Sequence, residues 1–192
     1  MSTISSPVSK PATPRYTLLA VVLHWLLALL ILGMLGMGVY MSDLPFSPLR
    51  LKLYNWHKWA GMTFLALTVL RLLTRLLRRP PALPVAVTQA MPAWQTRAYH
   101  ATHHVLYGLF FAVPLAGWAY SSAAGFPIVL FGQFPMPDLL APNKELAELI
   151  KPLHALLAFT LAGLAGLHIA AALKHHLIDR DGLLLRMLPG RT

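Results

Sequence analysis

The chain has no cysteine, and its 192 residues include only six acidic ones; charged residues of both signs amount to 11%. Without cysteine there is no disulfide, no thiolate-bound zinc, no iron–sulfur cluster and no thioether-tethered c-type haem. Any cofactor is left to histidine or methionine, and thiol usage says nothing about compartment. The scarcity of charge argues against an ordinary soluble domain, where roughly a quarter of residues are charged. Apolar residues take up the space: hydrophobic types make up 57% and mean hydropathy is +0.60. The composition is that of an integral membrane protein.

The formal net charge is +10. A basic patch on a soluble fold would be the footprint of a nucleic-acid binder. Here the cations fall between hydrophobic runs, so the expected partner is membrane lipid and no nucleic acid is expected. Four apolar segments, residues 16–41, 54–77, 99–121 and 150–177, are each close to the roughly 20 residues of a spanning helix. No strand-like alternation competes with them. The expected fold is all-α, an integral membrane four-helix bundle forming one domain over residues 16–192. The Ser/Thr/Pro-rich opening, residues 1–15, is expected to be disordered and cytoplasmic, with no removable signal peptide.

Between the second and third spans, "RRPPALPVAVTQAMPAWQTR" is too punctuated by proline for a helix. The apolar, proline-rich stretch "AAGFPIVLFGQFPMPDLLAPNKELAE" is expected to lie over the bundle end, with a short helix from Asn143 leading into the fourth span. Eleven of the sixteen Lys and Arg residues fall on the side of the termini, and Arg50, Lys52, Lys58, Lys144 and Lys151 fall on the other. The positive-inside rule then puts both termini in the cytoplasm of a bacterial-type inner membrane.

Intramembrane ionisable groups are functional candidates by default. His154 and His168 are fourteen residues apart, about 21 Å along a helix and nearly whole turns, so they share a face. That is too far for one metal ion, whose ligand bonds are roughly 2 Å, and it suits two cofactors stacked across a membrane. His24 lies at the depth of His168, and His57 at the depth of His154. The expected pairs are His57 with His154 outside and His24 with His168 inside, each drawn from two helices facing a common centre. A planar macrocycle with two axial imidazoles fits each pair, which implies two non-covalent haem b groups. Bis-histidine ligation leaves iron no open site and favours electron transfer over oxygen binding.

His100, His103 and His104 cluster at the inner start of the third span. A zinc pair from His100 and His104 is conceivable, an interfacial role is favoured, and His103 or His104 is a candidate for lining a quinone pocket. His175 and His176 are expected among solvated headgroups. Gly38, fourteen residues after His24, falls at the outer cofactor depth, and Gly163 and Gly166 fall between the two levels. Glycine there either admits a macrocycle or a neighbouring backbone, or is simply common in membrane helices.

"YTLLAVVLHWLLALLI", "NWHKWAG", "RLLTRLLRRPP", "HHVLYGLFFAVPLAGW", "LHALLAFTLAGLAGLH" and "HHLIDRDGLLLRMLPG" together resemble the bacterial cytochrome b561 family over nearly the whole chain from residue 16. The resemblance implies four helices, two b haems with axial ligands at His24, His57, His154 and His168, and quinone, specifically ubiquinone, as a redox partner. It also implies superoxide oxidation as one activity, electrons passing from periplasmic superoxide to ubiquinone. Arg50, Lys58 and Lys151 are then candidates for steering a small anionic donor; alternatively, the lysines simply snorkel at helix ends. The alternative role within this resemblance is a haem-b anchor subunit relaying electrons from a hydrogenase- or formate dehydrogenase-like redox protein partner to quinone. A histidine-lined metal transporter is a third reading, one that would require a colourless protein.

Overall fold

In the computed structural model, residues 15–188 are described, except for the side chain of Ala86. The expectation of a disordered cytoplasmic segment over residues 1–15 falls almost wholly outside them. Among the described residues there are five α-helices: α1 (Leu18–Asp43), α2 (Pro48–Leu77), α3 (Val85–Ala90), α4 (Ala93–Ala123) and α5 (Lys144–Lys174). Four of them, all but α3, are long and apolar enough to cross a membrane. The result is the expected four-helix membrane bundle.

Helix starts follow capping chemistry rather than hydropathy. Thr17 caps α1 by accepting from the Ala20 N–H at 3.3 Å. Ser47 caps α2 at the Arg50 N–H, with Pro48 in the first turn, and Asn143 caps α5 at the Leu146 N–H. A side-chain oxygen at the N-cap satisfies a backbone donor that the helix leaves orphaned. The second helix therefore starts at Pro48, six residues before the apolar run, with Arg50 and Lys52 inside it. Residues from Asn143 lead straight into α5 with no break. Two features differ from the sequence expectation. The proline-rich connector contains the one-and-a-half-turn helix α3, because its prolines flank rather than interrupt Val85–Ala90. The loop after α4 forms a two-residue antiparallel ribbon, Val129–Leu130 against Phe134–Pro135.

Around the bundle α1 packs on α2, α2 on α4, α4 on α5 and α5 on α1. Leu27, Ile31, Phe64, Leu106, Leu109 and Leu161 form the core, flanked by Met34, Phe110, Val113, Leu157 and Leu164. The outside is apolar as well: Leu29, Leu32, Leu156, Phe159 and Leu167 are more than half exposed. Side chains of this kind are stable on an outer surface when lipid surrounds them.

A segment folds back onto each end of the bundle. At the loop end, the ribbon segment folds back on α2 and α4. The Trp59 indole donates to the Val129 carbonyl at 2.8 Å, the Lys58 ammonium to Phe126 O at 2.9 Å and the Trp118 indole to Pro137 O at 3.1 Å. The Ser121 hydroxyl also donates to Phe126 O. At the terminus end, α5 runs into a π-helical turn (His175–Asp179) and a 3-10 turn (Leu184–Met187). Buried Arg186 donates to the carbonyls of Pro81 and Ala82, at 3.1 and 2.9 Å, and lies over the Tyr16 ring. The Trp25 indole donates to Met187 O at 2.7 Å. Those bonds give the "LLRM" motif its structural role: it straps the tail to the connector and to α1.

Candidate functional site

The inward stripe of each spanning helix steps by threes and fours. On α5 it runs His154, Leu157, Leu161, Leu164, His168; on α1, His24, Leu27, Ile31, Met34, Gly38. Such a stripe keeps one face toward the partners over many turns. Residues fourteen apart on one stripe therefore fall in two layers about 21 Å apart. The terminus-end layer contains His24, Arg71, His103 and His168, one from each helix. The loop-end layer contains Gly38, His57, Gly117 and His154.

In each layer the structure brings two imidazoles opposite one another across a gap, with their planes nearly perpendicular. His24 and His168 have ring centroids 6.3 Å apart with planes at 76°, and His57 and His154 are also 6.3 Å apart, at 88°. With metal–nitrogen bonds of roughly 2 Å and ring centres about 1.1 Å behind the bonding atoms, two imidazoles on opposite sides of one metal stand about 6 Å apart. Both pairs match that span. The buried Nδ1 of His57 has no hydrogen-bond partner among the described residues, a costly state for a buried ring that makes no other bond. The donor set and its spacing thus fit a bis-imidazole metal group in each layer.

The rings are held differently. His154 Nδ1 donates to the Val113 carbonyl at 3.0 Å, which orients the ring and leaves Nε2 with its lone pair free. A Cβ built on Gly117 would stand 3.0 Å from His154 Cε1, and one on Gly38 would stand 3.4 Å from His57 Cε1. Glycine at both positions is what admits the rings. Gly38 therefore belongs to the outer layer expected for it, whereas Cβ atoms on Gly163 and Gly166 would meet nothing within 4 Å. In the other layer Arg71 donates to His24 Nδ1 at 3.1 Å, to the Ala20 carbonyl at 3.0 Å and to the Tyr107 hydroxyl at 3.2 Å.

Three histidines differ from the sequence expectation or refine it. His103 turns inward from the cluster in which it was placed. Its ring lies 5.3 Å from His168 and 4.4 Å from Tyr99, with Nδ1 bonded to the Tyr99 carbonyl at 2.7 Å. The stripe Tyr99, His103, Leu106, Phe110, Val113, Gly117 was the signal for it. His104 bonds back to the His100 carbonyl on the outer side of α4. His175, expected among headgroups, is largely covered and donates to Asp181 at 2.6 Å. His175, Asp179 and Asp181 have metal-like spacing, but the Lys174 ammonium already binds both Asp179 oxygens, at 2.6 and 2.9 Å. Arg71 was not singled out from sequence as functional, since a cation near a helix end looks like an ordinary interfacial residue, and His103 was considered only for a quinone pocket.

The three candidate steering cations sit at the loop end in separate settings. Lys58 is tied to the Phe126 carbonyl, and Arg50 lies over the Tyr54 ring at 5.5 Å. Lys151 lines a cavity of about 520 Å³ with Tyr120, Asn143, Lys144 and Glu148.

A multi-pass membrane protein with paired, half-buried imidazoles in two layers, and no nucleophile or thiolate among them, defines a membrane electron-transfer protein. The profile of the prokaryotic cytochrome b561 family matches residues 15–190. "Cytochrome b561 homolog 2" of Escherichia coli (strain K12) is 35% identical over 175 residues, covering 91% of each chain. "Probable superoxide oxidase CybB" of Yersinia pestis is 33% identical over 180 residues, covering 91% of this chain and 96% of its own. A second Escherichia coli protein, "Cytochrome b561 homolog 1", is 40% identical over 100 residues, about half of each chain. The chain belongs to the prokaryotic cytochrome b561 family, which carries b-type haem.

Proposed function

We propose that this protein is a di-haem b-type cytochrome of a bacterial inner membrane that passes electrons from superoxide to ubiquinone. The observation that carries the two-centre reading is the recurrence of one geometry: two imidazole pairs, each with 6.3 Å between rings, fourteen residues apart on α5. His57 and His154 would hold one haem, and His24 and His168 the other. When bound, b-type haem supplies one-electron redox chemistry. Two imidazoles on each iron would leave no open position, so dioxygen would be a product to release rather than a ligand to bind.

The chain's own residues do the rest. Val113 and Gly117 set the His154 ring, Gly38 makes room for His57, and Arg71 braces His24. The loop ribbon, pinned by Trp59, Lys58 and Trp118, covers the loop-end layer. The distribution of Lys and Arg favours cytoplasmic termini, which puts His57 and His154 on the periplasmic side with Arg50, Lys58 and Lys151. Superoxide is a small anion, and cations near its entry raise the encounter rate. The name of the Yersinia pestis relative supports this donor. Two superoxide ions each give up one electron and leave as dioxygen; one ubiquinone takes both electrons and two protons to become ubiquinol.

The test is to mix the purified, haem-loaded protein with superoxide and a soluble quinone analogue. Rapid haem reduction followed by quinone-dependent reoxidation is expected. Changing Lys58 and Lys151 together to Gln should slow the superoxide step and flatten its salt dependence. A protein that superoxide does not reduce would remove this donor, and an unchanged rate in the double variant would remove the steering role.

A further inference from the structure

At the terminus end, between α1 and α2, a cavity of about 140 Å³ is lined by Arg15, Arg71, Arg75, Arg78 and Arg79. Five guanidiniums around one small space repel one another unless an anion sits among them. Among the described residues no carboxylate pairs with them. The chain has six carboxylate side chains; Asp43, Asp138, Glu145 and Glu148 are in loop-end segments, and Asp179 and Asp181 are taken by Lys174 and His175. Arg71 is committed to His24, Ala20 and Tyr107, and Arg75 lies over the Tyr107 ring at 5.5 Å. The guanidiniums of Arg15, Arg78 and Arg79 are exposed and form no ion pair among the described residues.

The neighbouring residues point to the kind of anion. Leu18, Leu76 and Leu77 are 70%, 69% and 83% exposed on the same turns that carry these arginines. Charge and bare leucine therefore meet where α1 and α2 leave the bilayer. A free inorganic anion would use the arginines and leave the leucines in water. A phospholipid uses both, its phosphate among guanidiniums that match it in geometry and its acyl chains along the leucines. Basic pockets between spanning helices are a recognised way of holding anionic headgroups. We infer that this cavity, which adjoins the terminus-end imidazole layer at Arg71, is a binding site for the phosphate of an anionic phospholipid.

The test uses the full-length, haem-loaded protein in detergent. Melting is followed with added phosphatidylglycerol, cardiolipin, phosphatidylcholine or inorganic phosphate, and retained lipid is counted by native mass spectrometry. Phosphatidylglycerol and cardiolipin should each raise Tm, and at least one anionic lipid should remain bound. The triple variant Arg15→Gln, Arg78→Gln, Arg79→Gln should lose both effects while keeping its haem. A charge-matched variant with Lys52→Gln, Arg97→Gln and Lys144→Gln should keep them. If the triple variant does not fold, the single Arg78→Gln and Arg79→Gln variants should each lose part of the Tm rise. An equal rise from phosphatidylcholine, or from inorganic phosphate alone, would overturn the proposal. So would a triple variant that keeps its lipid, or one that loses haem instead, since the arginines would then serve the cofactor's own carboxylates.

Discussion

The two imidazole layers are built by the same four helices at the same register, and they share the 6.3 Å separation between facing rings. Their surroundings are opposite. The loop-end layer is spare, with two rings seated against two glycines, and among the described residues its rings have one hydrogen-bond support, the Val113 carbonyl. The terminus-end layer is crowded and charged, with a guanidinium on His24 and a third imidazole, His103, against His168. Equal geometry in unequal fields is the useful feature. The pairing sets what can be held, and the neighbours set how readily a held centre accepts an electron.

The strongest way to break this comparison is to delete one ring from each layer in turn. His154→Ala and His168→Ala should each halve the haem content and leave a spectrum belonging to the other layer, as read by pyridine haemochrome assay and reduced-minus-oxidised difference. If either variant keeps both haems, the layers are not two separate sites. A subtler intervention fills the space that glycine leaves. Gly117→Ala puts a methyl 3.0 Å from His154 Cε1, which should cost about 1–3 kcal/mol as overpacking does and weaken haem retention in that layer. Gly38→Ala, at 3.4 Å, should cost less. Thermal melting and haem loss on dilution would rank the two, and the reverse order would contradict the packing seen here.

The smallest expected change concerns the charge. Arg71→Met removes a cation next to His24 and should lower the midpoint potential of one haem, leaving the other in place. A tenfold change in the reduced-to-oxidised ratio would appear as about 59 mV in a redox titration. Equal shifts in both components would mean that the guanidinium acts on the whole bundle rather than on one layer.

Much of the bundle was legible because hydropathy in a bilayer is nearly a structural rule. Backbone groups in hydrocarbon must bond within their own segment, so each long apolar run becomes a helix. The depth of each histidine along its run was enough to match His24 with His168 and His57 with His154. The edges were less legible. Hydropathy placed the start of the second span at residue 54, yet the helix begins at Pro48 because Ser47 caps it. The ribbon at Val129–Leu130 depends on contacts with Trp59 and Lys58, some seventy residues away in sequence, and no local pattern encodes it. His175 looked solvated until the π-helical turn brought Asp181 to it.

The sequence by itself determined the class of the molecule, its four spans and the two depths at which imidazoles stand, because hydrophobic length and helical period are local properties. Only the tertiary structure decided which neighbours those imidazoles have. Arg71 reaches His24 from 47 residues away, and Val113 holds His154 from 41. Gly117 matters because a ring on another helix occupies the space its side chain would fill. Such contacts depend on rotation and approach between helices, which a linear period leaves free until the four stripes close on one another.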